Sequence, residues 1–345
     1  MGFEAIFPVP IIQGPMAGGA NTPAMVAAVS NAGGLGSFGA SMLSLDTIRA
    51  QVAETRRLSS RPFMLNFFVQ GVPAPSQQEV DRAADLLRPV WSSLGWPALP
   101  MPAKWCEDFA AQFELLLELK PAVASFTFDI LSAAQVKRLQ DAGIFVIGTV
   151  TTVEEALAWQ AAGADAVVAS GVESGGHRGT FIGAQAAATM ESIPLLAAVL
   201  QAVRIPVISA GNIMTGADIR ERLALGAAAV QMGTAFLVTE ESGVPAVYKE
   251  RLLAAQGNPT RLTRAFSGRL ARGVVNRFMQ QMAGVEADVP AYPVQNALTG
   301  SIRAEAAKRG DPELLSLWAG TGVTRARVMP TAKLMEILIA EIDQS

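Results

Sequence analysis

Three segments of the chain share one pattern, in which the end of a helix is followed by a glycine and then by a short apolar strand. They read DAGIFVIG, AAGADAVVASG and ALGAAAVQMG and contain Gly143, Gly163 and Gly226. Glycine accepts the positive φ that often ends a helix just before a strand begins. Right-handed repetition of such units closes most naturally at eight strands, so the pattern predicts a (β/α)8 TIM barrel.

Short apolar runs supply the required number of strands, and amphipathic stretches between them predict helices. An open, doubly wound parallel sheet is the alternative arrangement of the same units. The predicted strands are Val9–Gln13, Leu35–Phe38, Phe63–Val69, Val123–Phe128, Ile144–Val150, Ala166–Ser170, Pro206–Ala210 and Ala229–Gly233. The predicted helices include Leu45–Leu58, Ala133–Ala142, Val153–Ala162, Ile193–Val203 and Ala217–Leu225.

Two stretches depart from the repeat and predict the domain organisation. We assign residues 1–245 to the barrel, 246–320 to a helical appendage over the barrel mouth, and 321–345 to a C-terminal helix that returns to the barrel. Within the barrel, Gln70–Trp105 holds six prolines and three tryptophans and predicts an excursion with one helix at Gln77–Leu94. A surface insertion is favoured slightly over a substrate lid.

The amino-acid composition limits the kinds of partner that the protein is expected to bind. Half of the residues are hydrophobic and only 17% are charged, as in a chain with strands buried beneath helices. The net charge of −3 gives no electrostatic footprint for nucleic acid or an anionic membrane. The start of the chain lacks the basic residues of a signal peptide, so we expect a cytoplasmic protein. A homo-oligomer is left open.

Metal chemistry is disfavoured because Cys106 is the only cysteine and His177 is the only histidine. Zinc and iron sites need several such ligands, and a single cysteine forms no internal disulfide. Two charged residues flank the histidine, Glu173 and Arg178, and they are expected to pair with each other.

Active sites of such barrels lie at the carboxyl ends of the strands. After the first strand, Pro15, Met16 and Ala17 stand among glycines, where small residues let the backbone approach a flat ligand. Asn66 lies within the apolar third strand, and its amide needs a hydrogen-bond partner. A ligand ring could supply that partner, although a tight turn and a backbone hydrogen bond would also explain these two features.

The sixth strand is followed by a glycine-rich stretch that contains His177. Gly175 and Gly176 allow a tight fold and predict a mobile loop at the barrel rim. A histidine there can reach a ligand, and its ordinary pKa suits proton transfer near neutrality. We interpret His177 as the catalytic residue, against the alternative of a structural role, and Ser170 at the strand end as a further ligand contact.

The seventh and eighth strands both end in glycine. Gly211 and Asn212 follow the seventh, and Gln231, Met232, Gly233 and Thr234 end the eighth. Barrels often bind a phosphate in these two loops, through backbone N–H groups and a helix dipole. A planar ligand with a phosphate at one end would span the strand ends, and flavin mononucleotide (FMN) fits that description.

Seven segments resemble the nitronate monooxygenase family, formerly called 2-nitropropane dioxygenases. They are PIIQGPMAGGANTP, NFFV, VESGGHRGTF, PVISAGNI, VQMGTAF, YPVQNALTG and LWAGTG. The resemblance implies an FMN barrel that oxidises alkyl nitronates with O2 to a carbonyl compound and nitrite. It also implies that His177 is the catalytic histidine beside the flavin, with FMN contacts at Met16, Asn66, Gly175 and the run Gln231 to Thr234.

Three positions depart from the family pattern and put the substrate in doubt. Many members carry Gln where Ser170 stands, Gly where Asn212 stands, and His where Thr127 stands. The second hypothesis is an NAD(P)H-dependent flavin reductase acting on enoyl-thioesters or quinones. A phosphosugar aldolase is disfavoured because no lysine falls at a strand end, and a non-catalytic flavin-binding barrel has no supporting feature.

Overall fold

The computed structural model describes residues 6–343. Eight parallel strands form one sheet: β1 (Ile11–Gln13), β2 (Gly36–Gly39), β3 (Phe63–Phe68), β4 (Val123–Thr127), β5 (Phe145–Val150), β6 (Ala166–Ser170), β8 (Val207–Ala210) and β9 (Ala229–Met232). The short strand β7 (Gly176–His177) belongs to a second, smaller sheet. The spatial order in the large sheet is β1-β9-β8-β6-β5-β4-β3-β2, and a parallel bridge between Ile12 and Leu35 joins its two edges. The sheet therefore closes, which confirms the TIM barrel and rejects the open sheet.

Helices on the outside of the barrel begin at polar caps. Ser132 and Thr215 each form a capping box with the residue three positions later, which satisfies two otherwise unpaired backbone N–H groups at each start. The barrel helices are α1 (Pro23–Asn31), α2 (Leu45–Leu58), α5 (Phe109–Leu119), α6 (Ala133–Asp141), α7 (Val153–Ala162), α8 (Ser192–Ala202) and α9 (Gly216–Ala224). The glycines of the repeated pattern have φ of +82° at Gly143, +92° at Gly163 and +106° at Gly226, as the sequence predicts.

Apolar side chains fill the interior of the barrel. Buried residues from successive strands pack together there, among them Ile12, Met64, Ile147 and Ile208, and Phe7 joins the same cluster. An interior packed in this way is a solid core and leaves no channel through the barrel. Any site for a small molecule must therefore lie at one end of the barrel.

The proline-rich excursion contains two helices, α3 (Gln77–Leu86) and α4 (Arg88–Ser93), where the sequence predicted one. Pro89 explains the difference, because proline lacks the N–H that a continuous helix needs and is accommodated in a first turn. Buried Val90 and Trp91 pack in one hydrophobic cluster with Phe278 and Leu298 of the C-terminal third. The excursion is thus part of a second core above the barrel.

The segment after the barrel contains helices and also a β-hairpin that the sequence did not predict. Its helices are α10 (Thr234–Leu237), α11 (Ala246–Leu253), α12 (Arg277–Met282), α13 (Val294–Leu298) and α14 (Gly300–Arg309). The hairpin strands are β10 (Thr260–Thr263) and β11 (Ala271–Val274), and β11 also pairs with the two-residue strand β7 (Gly176–His177). The segment is therefore hydrogen-bonded to the loop after β6.

The last described helix, α15 (Thr331–Asp343), lies against the barrel. Its buried Leu334, Met335 and Leu338 pack with Met25 of α1 and Ile219 of α9. In the part of the chain that the structure describes, no helix combines the length and the apolar character needed to cross a bilayer.

Candidate functional site

A cavity of about 410 Å³ lies at the carboxyl ends of the barrel strands. Its volume falls in the range of small-molecule sites, about 300–1,000 Å³. Every residue that the sequence assigns to catalysis or to the cofactor lines it: Pro15, Met16, Ala17, Asn66, Ser170, Gly175, Gly176, His177, Gly211, Asn212, Gln231, Met232, Gly233 and Thr234. The structure thus brings together residues from five different strand ends.

The loop after β1 is held in place by Asn21, which the sequence did not single out. The Asn21 Oδ1 atom accepts hydrogen bonds from the backbone N–H of Met16 at 2.6 Å and of Gly39 at 3.0 Å. A Cβ at Gly39 would collide with the backbone of Ala17. The loop is therefore tied to the end of β2, which fixes the backbone where the sequence predicted close approach to a flat ligand.

Asn66 forms part of a short polar row at the ends of β3, β4 and β5. Its Nδ2 atom donates to the hydroxyls of Ser125, at 2.9 Å, and Thr127, at 3.2 Å. The Thr127 hydroxyl lies 3.2 Å from that of Thr149. The hydrogen-bond partners of the Asn66 amide are thus two hydroxyl side chains of the protein, and Asn66 also lines the cavity.

The loops after β8 and β9 present backbone at the other side of the cavity. Gly211 has a φ of +122° and Asn212 a φ of +54°, conformations that are easy for glycine and tolerated by asparagine. Gly233 immediately precedes α10, and no side chain caps the start of this helix. A Cβ at Gly233 would meet only the Met16 side chain, at 3.7 Å, so the backbone here is open to a ligand.

A segment just before α15 closes over these loops. The Gly320 N–H donates to the Thr234 hydroxyl at 2.9 Å, and the Thr321 N–H donates to the Glu173 carbonyl at 3.0 Å. A Cβ at Gly175 would lie 2.5 Å from the Gly320 nitrogen, so the two backbones touch. The C-terminal segment LWAGTG, noted in the sequence for its family resemblance, therefore belongs to the site wall.

His177 is fixed by its backbone, where the sequence predicted a mobile loop. The strand β7 pairs with β11 in an antiparallel ladder, in which His177 lies opposite Ala271 and Gly176 lies opposite Arg272. The Nε2 atom of His177 is buried and has no hydrogen-bond partner among the described residues. A buried ring nitrogen without a partner is costly, so this atom is available to a ligand.

Four aromatic rings surround the imidazole of His177. The ring centroids lie 5.4 Å away for Trp318, 5.5 Å for Phe128 and Tyr292, and 6.5 Å for Phe68, all in edge-to-face arrangements. No site role for these rings follows from the sequence alone, because they come from four distant parts of the chain. Tyr292 and Trp318 do lie in the two C-terminal segments that resemble the family.

The pKa of His177 lies well below the near-neutral value that the sequence predicts. Burial lowers it from 6.5 to about 3, with a further contribution from the positive charges of Arg269 and Arg303. Desolvation disfavours the charged imidazolium, and nearby cations do the same. The imidazole is therefore neutral at pH 7, which leaves it able to accept a proton but makes it a weak base.

Glu173 and Arg178 have separate partners, which corrects the expected pairing. The Glu173 carboxylate accepts the N–H of Ser192 at 2.9 Å and the Ser192 hydroxyl at 3.1 Å. The buried Arg178 guanidinium donates to the carbonyl oxygens of Gly171, at 2.6 Å, and Ala188, at 3.1 Å. Both residues thereby shape the loop that carries His177. Within residues 6–343, no group of three His, Cys, Asp or Glu side chains is placed to hold a metal ion.

The chain is similar to known proteins over nearly its full length. The nitronate monooxygenase family model matches residues 3–341. A probable nitronate monooxygenase of Staphylococcus aureus (strain MRSA252) is 38% identical over 336 residues, which cover 97% of this chain and 94% of the relative.

Two solved structures share the fold. A nitroalkane oxidase from Streptomyces ansochromogenes is 42% identical, with a TM-score of 0.91 and coverage of 98% of this chain and 97% of its own. FabK from Thermotoga maritima is 30% identical, with a TM-score of 0.76 and coverage of 97% and 93%. The family match, the barrel and the cavity agree, and the chain belongs to the nitronate monooxygenase family of oxidoreductases.

Proposed function

We propose that this chain binds FMN in the cavity and uses O2 to oxidise alkyl nitronates to a carbonyl compound and nitrite. One observation carries the proposal: a single cavity collects all fourteen residues selected from five strand ends, with an unpartnered His177 Nε2 among them. Family membership supports the same chemistry, since oxidation of nitronates is what the family name describes.

The residues present fit a flavin. A Cβ at Gly176 would meet nothing within 4 Å, and one at Gly233 only Met16, so side chains at these positions would fill space that a ligand can use. Gly211, Asn212, Gly233 and Thr234 would hold the phosphate through backbone N–H groups. When bound, FMN would supply the electron acceptor that the side chains lack.

Further contacts would hold the flavin ring. One face of the ring would lie against Pro15, Met16 and Ala17. Its polar edge would contact Asn66 and Ser170. The remaining contacts would come from Gly175 and from the run Gln231 to Thr234. Sequence patterns alone predict that these residues contact the cofactor, and their shared cavity supports that prediction.

The role that we propose for His177 depends on the protonation state of the substrate. A neutral nitroalkane must lose a proton from its α-carbon before it can be oxidised, and the unpartnered Nε2 of His177 could accept that proton. A preformed nitronate needs no base. Because burial holds the pKa of His177 at about 3, the proton transfer has little driving force, and the nitronate is the better substrate.

The absorption spectrum of the purified protein tests the proposal. We expect a yellow preparation with non-covalent FMN, bleached on anaerobic addition of a nitronate and restored by air, with nitrite released. A colourless protein that does not take up added FMN would refute the cofactor. A yellow protein that stays yellow with nitronate would refute the substrate.

A second candidate is an NAD(P)H-dependent flavin reductase of enoyl-thioesters or quinones. The observation that favours it is the similarity to FabK, at 30% identity over 97% of this chain. Anaerobic NADH, added in the same experiment to a separate sample, separates the two functions. Bleaching by NADH without bleaching by nitronate would replace the first proposal by the second.

A further inference from the structure

The cavity contains one cationic side chain among its described residues, that of Arg303. Arg303 lies on α14, in the segment after the barrel, and is partly buried. Burial lowers its pKa to about 10, so the guanidinium still carries a full charge at pH 7. A cation at the wall of an enclosed site strongly favours an anionic ligand.

Arg303 has no carboxylate partner among residues 6–343. Its Nη2 donates to the Asn296 carbonyl at 2.6 Å and to Asn296 Oδ1 at 3.1 Å, and its Nε donates to the Thr299 carbonyl at 3.4 Å. Within the described part of the chain, no hydrogen bond uses its Nη1. Charged residues in protein interiors are normally paired, so a guanidinium with a free nitrogen beside a cavity is unusual.

The other charged group at the cavity cannot supply the missing charge. Among the described residues, Glu173 is the one carboxylate in the lining, and its oxygens accept hydrogen bonds from Ser192. Arg303, its hydrogen-bond partner Asn296 and His177 all line the cavity. The cation therefore shares the cavity with the residue assigned to catalysis.

We propose that Arg303 is the anion receptor of the active site, which binds the nitronate oxygens and selects the nitronate over the neutral nitroalkane. The inference rests on the proposed function and names the group that recognises its substrate. A guanidinium suits the task, because its remaining Nη1 group can donate charge-assisted hydrogen bonds to an anionic oxygen, and such bonds are strong. His177, which is neutral, offers a hydrogen bond but no charge.

A structural role is the alternative, since Arg303 also binds carbonyl oxygens at the end of α13. Three variants separate the two roles. Arg303→Gln removes the charge but keeps hydrogen-bond donors, and Arg303→Lys keeps the charge. Lys308→Gln removes an exposed charge from the same helix and serves as the matched control.

Steady-state kinetics with both forms of one substrate give the first measurement. In Arg303→Gln we expect the KM for nitronate to rise about 10–100-fold, the effect of losing one charged hydrogen bond, and the KM for the neutral nitroalkane to change less than about threefold. Arg303→Lys should recover most of the affinity for nitronate, and Lys308→Gln should match the parent. Equal changes in KM for the two substrate forms would overturn the inference.

Nitrate, a planar oxyanion that is not turned over, gives a measurement independent of activity. At constant ionic strength, nitrate should raise the thermal midpoint of the parent and of Arg303→Lys but not that of Arg303→Gln. Equal shifts in all variants would refute the receptor even if the parent oxidises nitronates. A parent that binds nitrate through Arg303 but does not oxidise nitronate would refute the proposed function alone. Loss of FMN from Arg303→Gln would assign the residue to the cofactor and overturn the inference.

Discussion

The two ends of the cavity are built in different ways. At one end, Gly211, Asn212, Gly233 and Thr234 present backbone from two neighbouring loops, each a short continuous piece of sequence. At the other end, His177 lies among rings and a cation from distant parts of the chain. The first is a local structure that a motif describes, and the second exists only in the folded chain.

This difference suggests a division of work. The first end is the one that we propose binds the FMN phosphate, and it requires little beyond small residues, because backbone amides bind a phosphate wherever the loop has the right shape. The other end must set the protonation state and the charge of its groups, which depends on burial and on neighbours from several segments. Cofactor binding and chemistry should therefore be separable by mutation.

The largest expected effect concerns the chemical end. We predict that His177→Asn retains FMN and the fold but lowers the turnover of a neutral nitroalkane about 10²-fold, the lower end of the usual contribution of a general base, because a pKa of about 3 makes His177 a weak base. Turnover of the preformed nitronate should fall less, because it needs no base. The assay compares parent and variant with freshly prepared forms of one nitroalkane. Near-parental rates with both forms would remove His177 from the mechanism. Loss of FMN from the variant would show that cofactor binding and chemistry cannot be separated at this residue.

The next effect concerns the phosphate end. We predict that Gly233→Asp weakens FMN binding about 10–100-fold, because a carboxylate would face the phosphate and a side chain would occupy the open space above the backbone. The measurement is FMN affinity by titration of the apoprotein. Gly284→Asp, at an open position outside the cavity lining, is the control and should bind FMN like the parent. Unchanged affinity in Gly233→Asp would place the phosphate elsewhere.

The smallest effect is on stability. His177 has a folded-state pKa of about 3, below its usual 6.5, so between these values the unfolded chain binds the extra proton and stability falls as the pH falls. We predict that the parent loses about 1.4 kcal/mol of unfolding free energy per pH unit below 6.5, relative to His177→Gln. Denaturant unfolding at pH 7.5 and pH 5.5 measures this. Parallel pH dependence of parent and variant would show that the imidazole is not held neutral.

Sequence patterns predicted the barrel well, because its order depends on local features. Apolar runs mark all eight strands, and Gly143, Gly163 and Gly226 mark helix ends. The hairpin strand Ala271–Val274 was missed because its pairing with Gly176–His177 is a long-range contact with no periodic signal. The break at Pro89 was missed because an apolar pattern continued across it.

The sequence predicts the parts of the candidate site that single loops form and carries no signal for the parts where distant segments meet. Residues next to strand ends could be expected to share one cavity because parallel strands bring those ends together. Arg303 and Phe128 carry no local signature, since one is an ordinary helix residue and the other is an apolar residue at the end of an apolar predicted strand. The pKa of His177 could not be predicted either, because it depends on the burial that those distant segments create.

The antiparallel pairing of β7 with β11 has a consequence for biosynthesis. The loop that carries His177 is synthesised with the sixth barrel strand, but Ala271, its partner in the ladder, follows the last barrel strand. Domains form as the ribosome delivers them, from the N-terminus onward. A nascent chain that has just completed its last barrel strand already contains the loops after β8 and β9, yet His177 lacks the strand that fixes it. The order of translation thus supplies the end proposed to bind the cofactor before the end proposed to carry the chemistry.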